Sequence, residues 1–328
     1  MVGPGGVQSA ISAGISLVPQ DPSRFVRVNG RFYRGTVDVL RDRTGLTLVN
    51  RVEMEWYLLG VVSAEMGRRS ASEHEALRAQ AVVSRTYAAK NARRWAGQGF
   101  DLYATVADQV YGGANAETPE GTEAVLATRG QVMTYGGSPI DAFFYSTCGG
   151  RTAEGTEVFE GANRPYLRSI RDLATDGIAY CSISPRFRWR EEWSGGQLRQ
   201  TLRRTLPTVG VSPAELGEVS DIRVASRTGS DRVGRLTIGL RASEVRVDGP
   251  NIRQVLRAPS GSPLRSAAFV LTVGRAGGAV SRLVADGAGA GHGVGLCQWG
   301  AVGRARAGQG YGSILAAYFP GATLQRLY

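Results

Sequence analysis

The chain has 328 residues, 42% of them hydrophobic, so it is long enough for one large domain or two lobes with their own cores, and wholesale disorder is excluded. Its formal net charge is +11, from 39 basic and 28 acidic residues, a balance that favours anionic partners. The sequence has no zinc finger, RNA-binding signature or basic heptad run, and no apolar stretch long enough to span a membrane. We therefore expect no nucleic-acid partner and at most a peripheral contact with a membrane.

The first 24 residues are predicted as a flexible segment. Residues 1–19 have neither the basic start nor the apolar core of a secretion signal, so either the protein is cytoplasmic or the chain is a mature segment without its export signal. Short runs of alternating residues follow, and they predict β-strands at residues 25–28, 31–35 and 46–49.

Two helices are predicted next. The first covers residues 55–65 and stops before Gly67, a residue typical of helix C-termini. The second begins at a capping box formed by Ser70 and Glu73 and runs to about residue 95, with many alanines that allow close packing. Beyond it, the sequence predicts a short helix at residues 120–127 and strands at residues 108–113, 131–135 and 142–146.

A second block of elements occupies residues 190–285. It is predicted to contain a helix at residues 196–205 and strands at residues 219–226, 235–241 and 267–273. A glycine-rich segment at residues 289–301 follows this block and leads into a helix-like stretch. A site that uses the glycine-rich segment must therefore draw on distant parts of the chain.

His292 is one of only two histidines and lies in the middle of the glycine-rich segment. The flanking residues Gly289, Gly291, Gly293 and Gly295 free the backbone for tight turns and close approach. Such a turn presents side chains or backbone groups to a ligand, but it can also hold a hydrogen-bonded structural histidine. The motif alone favours neither interpretation.

Glu65 is an unusual residue for its position, at the end of an apolar helix. The helix C-terminus carries partial negative charge and the neighbours are apolar, and both effects are expected to raise the pKa of the carboxyl group. A carboxylic acid that stays protonated near neutral pH is what a general acid requires. The alternative is an ordinary exposed glutamate on the last turn.

The three cysteines, Cys148, Cys181 and Cys297, allow two interpretations. Cys148 could be a nucleophile with His292 as its base. The simpler interpretation, which we prefer, is a disulfide between Cys148 and Cys181 with Cys297 buried. A zinc site would need about four ligands, and the sequence has no CxxC pair, so no metal site is expected.

Five blocks of the chain, by their order and spacing, resemble the SpoIID family, named for stage II sporulation protein D and also containing the LytB amidase-enhancer proteins. The blocks are residues 57–66 (YLLGVVSAEM), 75–88 (EALRAQAVVSRTYA), 108–112 (DQVYG), 146–150 (STCGG) and 289–301 (GAGHGVGLCQWGA). The resemblance implies an α+β fold of two lobes, with a long helix, mixed and antiparallel β-structure and a site between the lobes. We expect the catalytic core at residues 25–189 and 286–328 and the second lobe at residues 190–285.

The resemblance also implies an activity. Similar members are lytic transglycosylases, which cut the glycan strands of peptidoglycan, and the essential glutamate of the family falls on Glu65. Glycoside hydrolases usually need two carboxylates. A lytic transglycosylase uses the 6-hydroxyl of the sugar as nucleophile, so one group that acts first as acid and then as base is enough. The sequence offers no convincing second carboxylate, with Asp108 and Asp141 as the candidates.

We therefore expect cleavage between N-acetylmuramic acid and N-acetylglucosamine, with 1,6-anhydro ends as products, outside the cytoplasm in the periplasm or cell wall. The expected partner is a peptidoglycan glycan strand. Motif membership indicates the residues that would bind the sugar or stabilise charge: His292, Gln298, Gln80, Arg85, Gln109, Tyr111 and Ser146.

Departures from the family pattern bear on cofactors and alternatives. Some members carry a histidine in place of Tyr145 and a zinc site near it, so we expect neither a metal nor another cofactor in this chain. One alternative function is a non-catalytic glycan-binding protein that enhances a cell-wall amidase. Another is a cysteine hydrolase, which would need Cys148 as a free thiol.

Overall fold

The computed structural model describes residues 14–41, 45–212, 216–241 and 243–328. The chain divides into two compact units, one formed by Met1–Ala142 with Thr323–Tyr328 and the other by Phe143–Ala322. The fold is α+β, with helices beside several small sheets. Most of the predicted N-terminal segment, residues 1–13, lies outside the described residues.

The first unit begins with five short strands. They are β1 (Ile15–Leu17), β2 (Val26–Val28), β3 (Arg31–Tyr33), β4 (Thr36–Arg41) and β5 (Leu46–Arg51). Strands β1, β4 and β5 form an antiparallel sheet in that order, and β2 and β3 form a hairpin. Asn29 and Gly30 at the hairpin turn both have positive φ, which matches the right-handed twist of the flanking strands.

Three helices form the body of this unit: α1 (Met54–Met66), α2 (His74–Asn91) and α3 (Pro119–Ala127). The predicted end of α1 is confirmed, since the N–H of Gly67 caps the carbonyl of Ser63. The predicted capping box is confirmed too, because the N–H of Ser70 donates to Glu73 at 3.1 Å. Helix α2 packs against both other helices, so nearly every residue from position 76 to 88 is buried.

A three-stranded antiparallel sheet completes the first unit. It consists of β6 (Gln131–Tyr135), β7 (Ser138–Pro139) and the C-terminal strand Thr323–Arg326, which pairs with β6. Helix α2 packs on β6. The last residues of the chain are thereby built into the unit that contains α1 and α2.

The second unit holds the remaining elements. The strands are β8 (Phe144–Tyr145), β9 (Arg188–Ser194), β10 (Val219–Arg227), β11 (Val233–Leu240), β12 (Glu244–Asp248), β13 (Phe269–Ala276), β14 (Ala279–Ala288) and β15 (Leu296–Cys297). The helices are α4 (Gly195–Thr205), α5 (Asn251–Val255), α6 (Gln298–Arg306) and α7 (Tyr311–Tyr318). Two antiparallel sheets, β10–β11–β12 and β13–β14–β9, share one core with α4 and α5. Strands β8 and β15 form a short parallel pair.

Several sequence predictions are wrong in detail. Residues 108–113 form a loop rather than a strand, because two of their backbone N–H groups bond to α1. The long helix ends at Asn91 rather than residue 95, and the strand predicted at residues 142–146 shrinks to Phe144–Tyr145. Strands β4 and β14 were not predicted. Among the described residues, no helix is long and apolar enough to cross a membrane.

Candidate active site

Glu65 lies on the last turn of α1 and is half-buried. Its Oε1 accepts a hydrogen bond of 2.8 Å from the backbone N–H of Val110. The loop that carries Val110 packs along α1, where the N–H of Gly112 donates to the carbonyl of Gly60 at 3.1 Å. A Cβ at Gly60 would come within 2.6 Å of the Tyr111 ring, so only glycine allows this contact. The loop thus fixes the position of the Glu65 carboxylate.

A cavity of about 800 Å³ opens in the first unit beside this loop. Its wall is rich in aromatic rings, and the Tyr111 and Tyr57 rings lie 5.1 Å apart. The hydroxyl of Tyr111 donates to Oδ1 of Asn50 at 2.7 Å. A cleft that combines apolar ring faces with a few oriented polar groups suits a ligand with both kinds of surface, as a sugar has. Further aromatic residues line the cavity: Tyr33, Phe100 and Tyr103.

Asp108, one of the two candidates for a second carboxylate, is fully occupied as a structural acceptor. Its side chain is completely buried. One oxygen accepts from the hydroxyl of Tyr87 at 2.9 Å and from Arg94 at 3.1 Å. The other accepts from the indole of Trp95 at 2.7 Å and the N–H of Tyr103 at 2.8 Å. Asp108 therefore anchors the end of α2 to the loop before Tyr111.

Arg85 does not face a groove, because α2 is the central helix of its unit. The guanidinium is fully buried and pairs with both oxygens of Glu55, at 2.9 and 2.7 Å. Glu55 also accepts from the N–H of Gly130 and the hydroxyl of Tyr328. Burial raises the pKa of Glu55, but the hydrogen bonds from Arg85 and Tyr328 outweigh it and hold this pKa below the ordinary value. The pair joins α1, α2 and the C-terminus.

Gln80 and Gln109 are also fully buried. Both donate to Ser84, Gln80 to its hydroxyl at 3.0 Å and Gln109 to its carbonyl at 3.3 Å. Gln109 additionally donates to the hydroxyl of Tyr57 at 3.3 Å. Neither glutamine can touch a glycan strand from this position. Their effect on a substrate would pass through Tyr57 and the loop that holds Glu65.

The glycine-rich segment of the second unit adopts the tight backbone conformation that the sequence predicts. Gly289, Gly291, Gly293 and Gly295 all have positive φ. A Cβ at Gly289 would lie 2.4 Å from the carbonyl oxygen of Thr147, and one at Gly295 would lie 2.2 Å from that of Phe143. The glycines therefore bring the segment into direct contact with the backbone of residues 143–147.

His292 is held by the backbone on both ring nitrogens. Its Nδ1 accepts from the N–H of Val294 at 3.1 Å, so Nε2 carries the proton and donates to the carbonyl of Phe144 at 2.9 Å. Burial lowers the pKa of His292 to about 4, and the charges of Arg253 and Arg232 act in the same direction. This neutral histidine has no nitrogen left to activate Cys148. The geometry therefore argues against the cysteine-hydrolase alternative.

Ser146 and Gln298 lie at the pair formed by β8 and β15, beside His292. The N–H of Trp299 donates to the carbonyl of Ser146 at 3.0 Å, and Gln298 is buried at the start of α6. The structure thus groups Ser146, His292 and Gln298 in the second unit, while Glu65 and Tyr111 lie in the first. The placement of a substrate site between two lobes stays a prediction.

All three cysteines are free thiols in this structure and lie together. The sulfurs of Cys148 and Cys181 are adjacent, at 3.3 Å, without a covalent bond, so the disulfide stays a prediction. Asp172 joins them, a residue the sequence analysis missed because nothing in its local sequence marks it. Burial raises the pKa of Cys148, Cys297 and Asp172, whereas the hydrogen bond from Cys148 lowers the pKa of Cys181.

Residues 42–135 match the family model described as "Stage II sporulation protein". Over these residues and in the two Bacillus subtilis relatives described below, the chain is similar to the SpoIID family. Residues 180–295 match a second model, a domain of unknown function (DUF8618), and this range contains the predicted second lobe. The bounds proposed for the two lobes stay a prediction.

Three relatives illustrate the similarity. An uncharacterized protein of Brachyspira hyodysenteriae is 28% identical, over 90% of this chain and 73% of that protein. Stage II sporulation protein D of Bacillus subtilis is 28% identical, over 86% of this chain and 77% of its own length. The amidase enhancer of Bacillus subtilis is 29% identical over 81% of this chain, and the match spans only 40% of the enhancer.

Proposed function

We propose that this chain is a peptidoglycan lytic transglycosylase in which Glu65 is the only acid and base. Relatives named as a sporulation protein and an amidase enhancer support a role in the cell wall. Since peptidoglycan lies outside the cytoplasm, we propose that the protein acts there. The observation that carries the more specific activity is one half-buried carboxylate fixed by the backbone N–H of Val110, in a loop whose next residue, Tyr111, lines an aromatic cavity.

In the proposed reaction Glu65 gives one proton and then takes up another. The protonated Glu65 donates its proton to the oxygen between N-acetylmuramic acid and N-acetylglucosamine as that bond breaks. The resulting carboxylate then takes the proton of the muramic 6-hydroxyl while this oxygen bonds to C1 and closes the 1,6-anhydro ring. No water enters the product. The hydrogen bond from Val110 keeps the carboxylate in one position for both steps.

The state of Asp108 supports a mechanism with one carboxylate rather than two. A hydrolase would need a second carboxylate to bind a water or attack the sugar. Asp108 accepts four hydrogen bonds with a completely buried side chain, so it has neither the access nor a spare lone pair in a suitable place. Asp141 is half-buried and is the remaining candidate from the sequence.

For substrate binding, we propose that the aromatic cavity holds sugar rings of the strand, with Tyr111 and Tyr57 on its wall. Arg85, Gln80 and Gln109 would support it by packing rather than by contact, since all three are buried. Ser146, His292 and Gln298 stay candidates for substrate binding in the second unit on the basis of the family motifs. His292 would act there through the backbone that it holds in place.

The decisive experiment uses the Glu65→Gln variant on purified glycan strands, with and without stem peptides, and identifies products by mass spectrometry. The amide cannot give and retake a proton, and general acid–base catalysis contributes roughly 10²–10⁴-fold in rate. The variant should bind strands but release almost no anhydro ends. Glu53→Gln is the matched control, because it makes the same change on an exposed residue beside α1. Wild-type protein that produced reducing ends instead would refute the transglycosylase mechanism.

The second candidate is an enhancer of a cell-wall amidase, and the similarity to the Bacillus subtilis amidase enhancer favours it. Both functions need glycan binding, but only the enzyme needs the proton of Glu65. If wild-type protein cuts no strand yet accelerates an added amidase, and Glu65→Gln accelerates it equally, the enhancer function is correct. If the protein forms anhydro ends but does not accelerate the amidase, the transglycosylase function is correct and the enhancer function is rejected.

A further inference from the structure

Four side chains in the second unit bring metal-binding atoms together. The sulfurs of Cys148, Cys181 and Cys297 and a carboxylate oxygen of Asp172 all lie within 4.8 Å of one another, and all four residues are buried. Cys148 and Cys181 are 33 residues apart, and Cys297 follows Cys148 by 149 residues. The fold rather than a local motif therefore assembles the group.

The backbone around the cluster directs N–H groups at the sulfurs. Cys297 accepts from the N–H of Cys148 at 3.1 Å and from that of Gly300 at 3.2 Å, the latter at the start of α6. Cys148 accepts from the N–H of Gly150 at 3.3 Å. Hydrogen bonds of this kind stabilise the thiolate form, which is the form that binds metals.

The carboxylate of Asp172 is oriented from outside the cluster. Arg304 donates to its Oδ1 at 2.9 Å, and the hydroxyl of Tyr318 donates to its Oδ2 at 2.6 Å. Partners of this kind are usual around metal ligands, because they fix the direction of the coordinating atom. Tyr145 lies opposite Cys297 in the parallel pair of β8 and β15, and its buried hydroxyl has no hydrogen-bond partner among the described residues.

We propose that Cys148, Cys181, Cys297 and Asp172 bind one zinc ion in a closed, structural site. Three thiolates and one carboxylate are donors that zinc accepts in four-coordinate, tetrahedral geometry. Binding displaces the thiol protons to solvent, and no electron is transferred. The proposal departs from our expectation from the sequence, where the lack of a CxxC pair argued against a metal. Tyr145, the position at which some family members carry a histidine, is not a member of this donor set.

A disulfide between Cys148 and Cys181 explains less of the cluster. It would use two of the three sulfurs and leave Cys297 and the Asp172 carboxylate packed against it. Zinc uses all four donors and joins three separate segments of the second unit, at Cys148, at residues 172–181 and at Cys297 after His292. The site does not depend on Glu65, so metal binding is tested without reference to activity.

The test begins with wild-type protein made in zinc-supplemented, reducing conditions and freed of loose metal on a column. Elemental analysis should find about one zinc per chain, and all three cysteines should resist alkylation in the native protein until a strong chelator is added. Replacement by Co²⁺ should give the sulfur-to-metal charge-transfer bands of a tetrahedral thiolate site. The thermal midpoint should fall on chelation, because a metal that binds only the folded state stabilises it.

The variants Cys297→Ser and Asp172→Asn should each lose most of the metal affinity. His74→Gln is the control for binding at a surface histidine and should retain the zinc. If either donor variant fails to fold, chelation and alkylation of wild-type protein still decide the matter. Wild-type protein without zinc, whether its thiols are all reactive or Cys148 and Cys181 are disulfide-linked, would overturn the proposal. Loss of zinc from His74→Gln alone would overturn it too.

Discussion

His292 makes the stability of the second unit dependent on pH. The neutral ring satisfies two backbone groups, accepting from Val294 and donating to Phe144. Burial lowers its folded-state pKa to about 4, and two nearby cations, Arg253 and Arg232, add to the effect. In an unfolded chain a histidine has a pKa near 6.5. At a pH between these two pKa values, the histidine is protonated in the unfolded chain and neutral in the folded chain.

The direction and size of the pH effect on folding stability follow from this difference in the pKa of His292. Stability rises with pH wherever the unfolded state binds more protons, so the contribution is complete above about pH 6.5 and is lost as the pH falls towards 4. At 1.36 kcal/mol for each pKa unit, the difference amounts to about 3 kcal/mol. This is an upper bound, because His292 retains some exposure to solvent. Carboxylates held by ion pairs lose their stabilising effect at still lower pH.

The assay combines urea unfolding from pH 7.5 to 4.5 with NMR of ¹⁵N-labelled histidine. His292→Gln keeps a donor for Phe144 but does not titrate, so its stability should fall less steeply with acid than that of wild type. His74→Gln has also lost one histidine and serves as the control, and it leaves a single histidine signal that assigns His292. The ring should stay neutral with its proton on Nε2 down to about pH 4. A normal titration near pH 6.5 would refute the buried, neutral assignment.

Three further predictions test the packing and the cavity. In urea unfolding, Gly289→Ala should cost more than about 2 kcal/mol of stability, because the new Cβ adds a collision with the carbonyl of Thr147 to the strain of a positive φ. The control Gly249→Ala also has a positive φ but open space around it, so it should cost about 1 kcal/mol. Arg85→Ala should cost about 3–5 kcal/mol, because it leaves Glu55 unpaired in a buried site. Arg78→Ala, on the same helix but half-exposed, should cost about 1 kcal/mol or less, and equal losses would contradict the assignment. Phe100→Ala should weaken the binding of glycan strands in a sedimentation assay while Phe25→Ala, an exposed ring outside the cavity, does not; equal binding by both would rule out the cavity as the sugar site.

The helices could be predicted because their ends are marked locally. The capping box at Ser70 and the glycine at position 67 are signals that act within one turn. The loop at residues 108–113 could not, because its backbone groups bond to Glu65 and Gly60 on a helix some fifty residues earlier in the chain. Strand β4 was missed because a buried Asp38 interrupts its apolar pattern, and only the structure shows that Ser16 and Arg51 bind this carboxylate.

The candidate site was predictable where family motifs mark it and not where the fold assembles it. Glu65 came from a motif, and the structure adds the N–H of Val110 that holds it. Arg85 came from the same kind of motif, yet its partner Glu55 shows that it stabilises the unit from inside. Asp172 belongs to a cluster that the fold assembles from three separate segments, so counting cysteines and looking for close cysteine pairs could not reveal it.

Asp108 is the residue on which the choice between one carboxylate and two depends. In Asp108→Asn the amide nitrogen must face one pair of donors, so two charge-assisted hydrogen bonds are lost at about 1.5–3 kcal/mol each. If Asp108 is an anchor, urea unfolding should show a loss of at least about 3 kcal/mol, and the protein that remains folded should still release anhydro ends. Glu65→Gln should show the reverse, with little change in stability and almost no product. An Asp108→Asn variant that folds as well as wild type but is inactive would make Asp108 a second catalytic carboxylate, and hydrolysis with two carboxylates would replace the single-carboxylate mechanism.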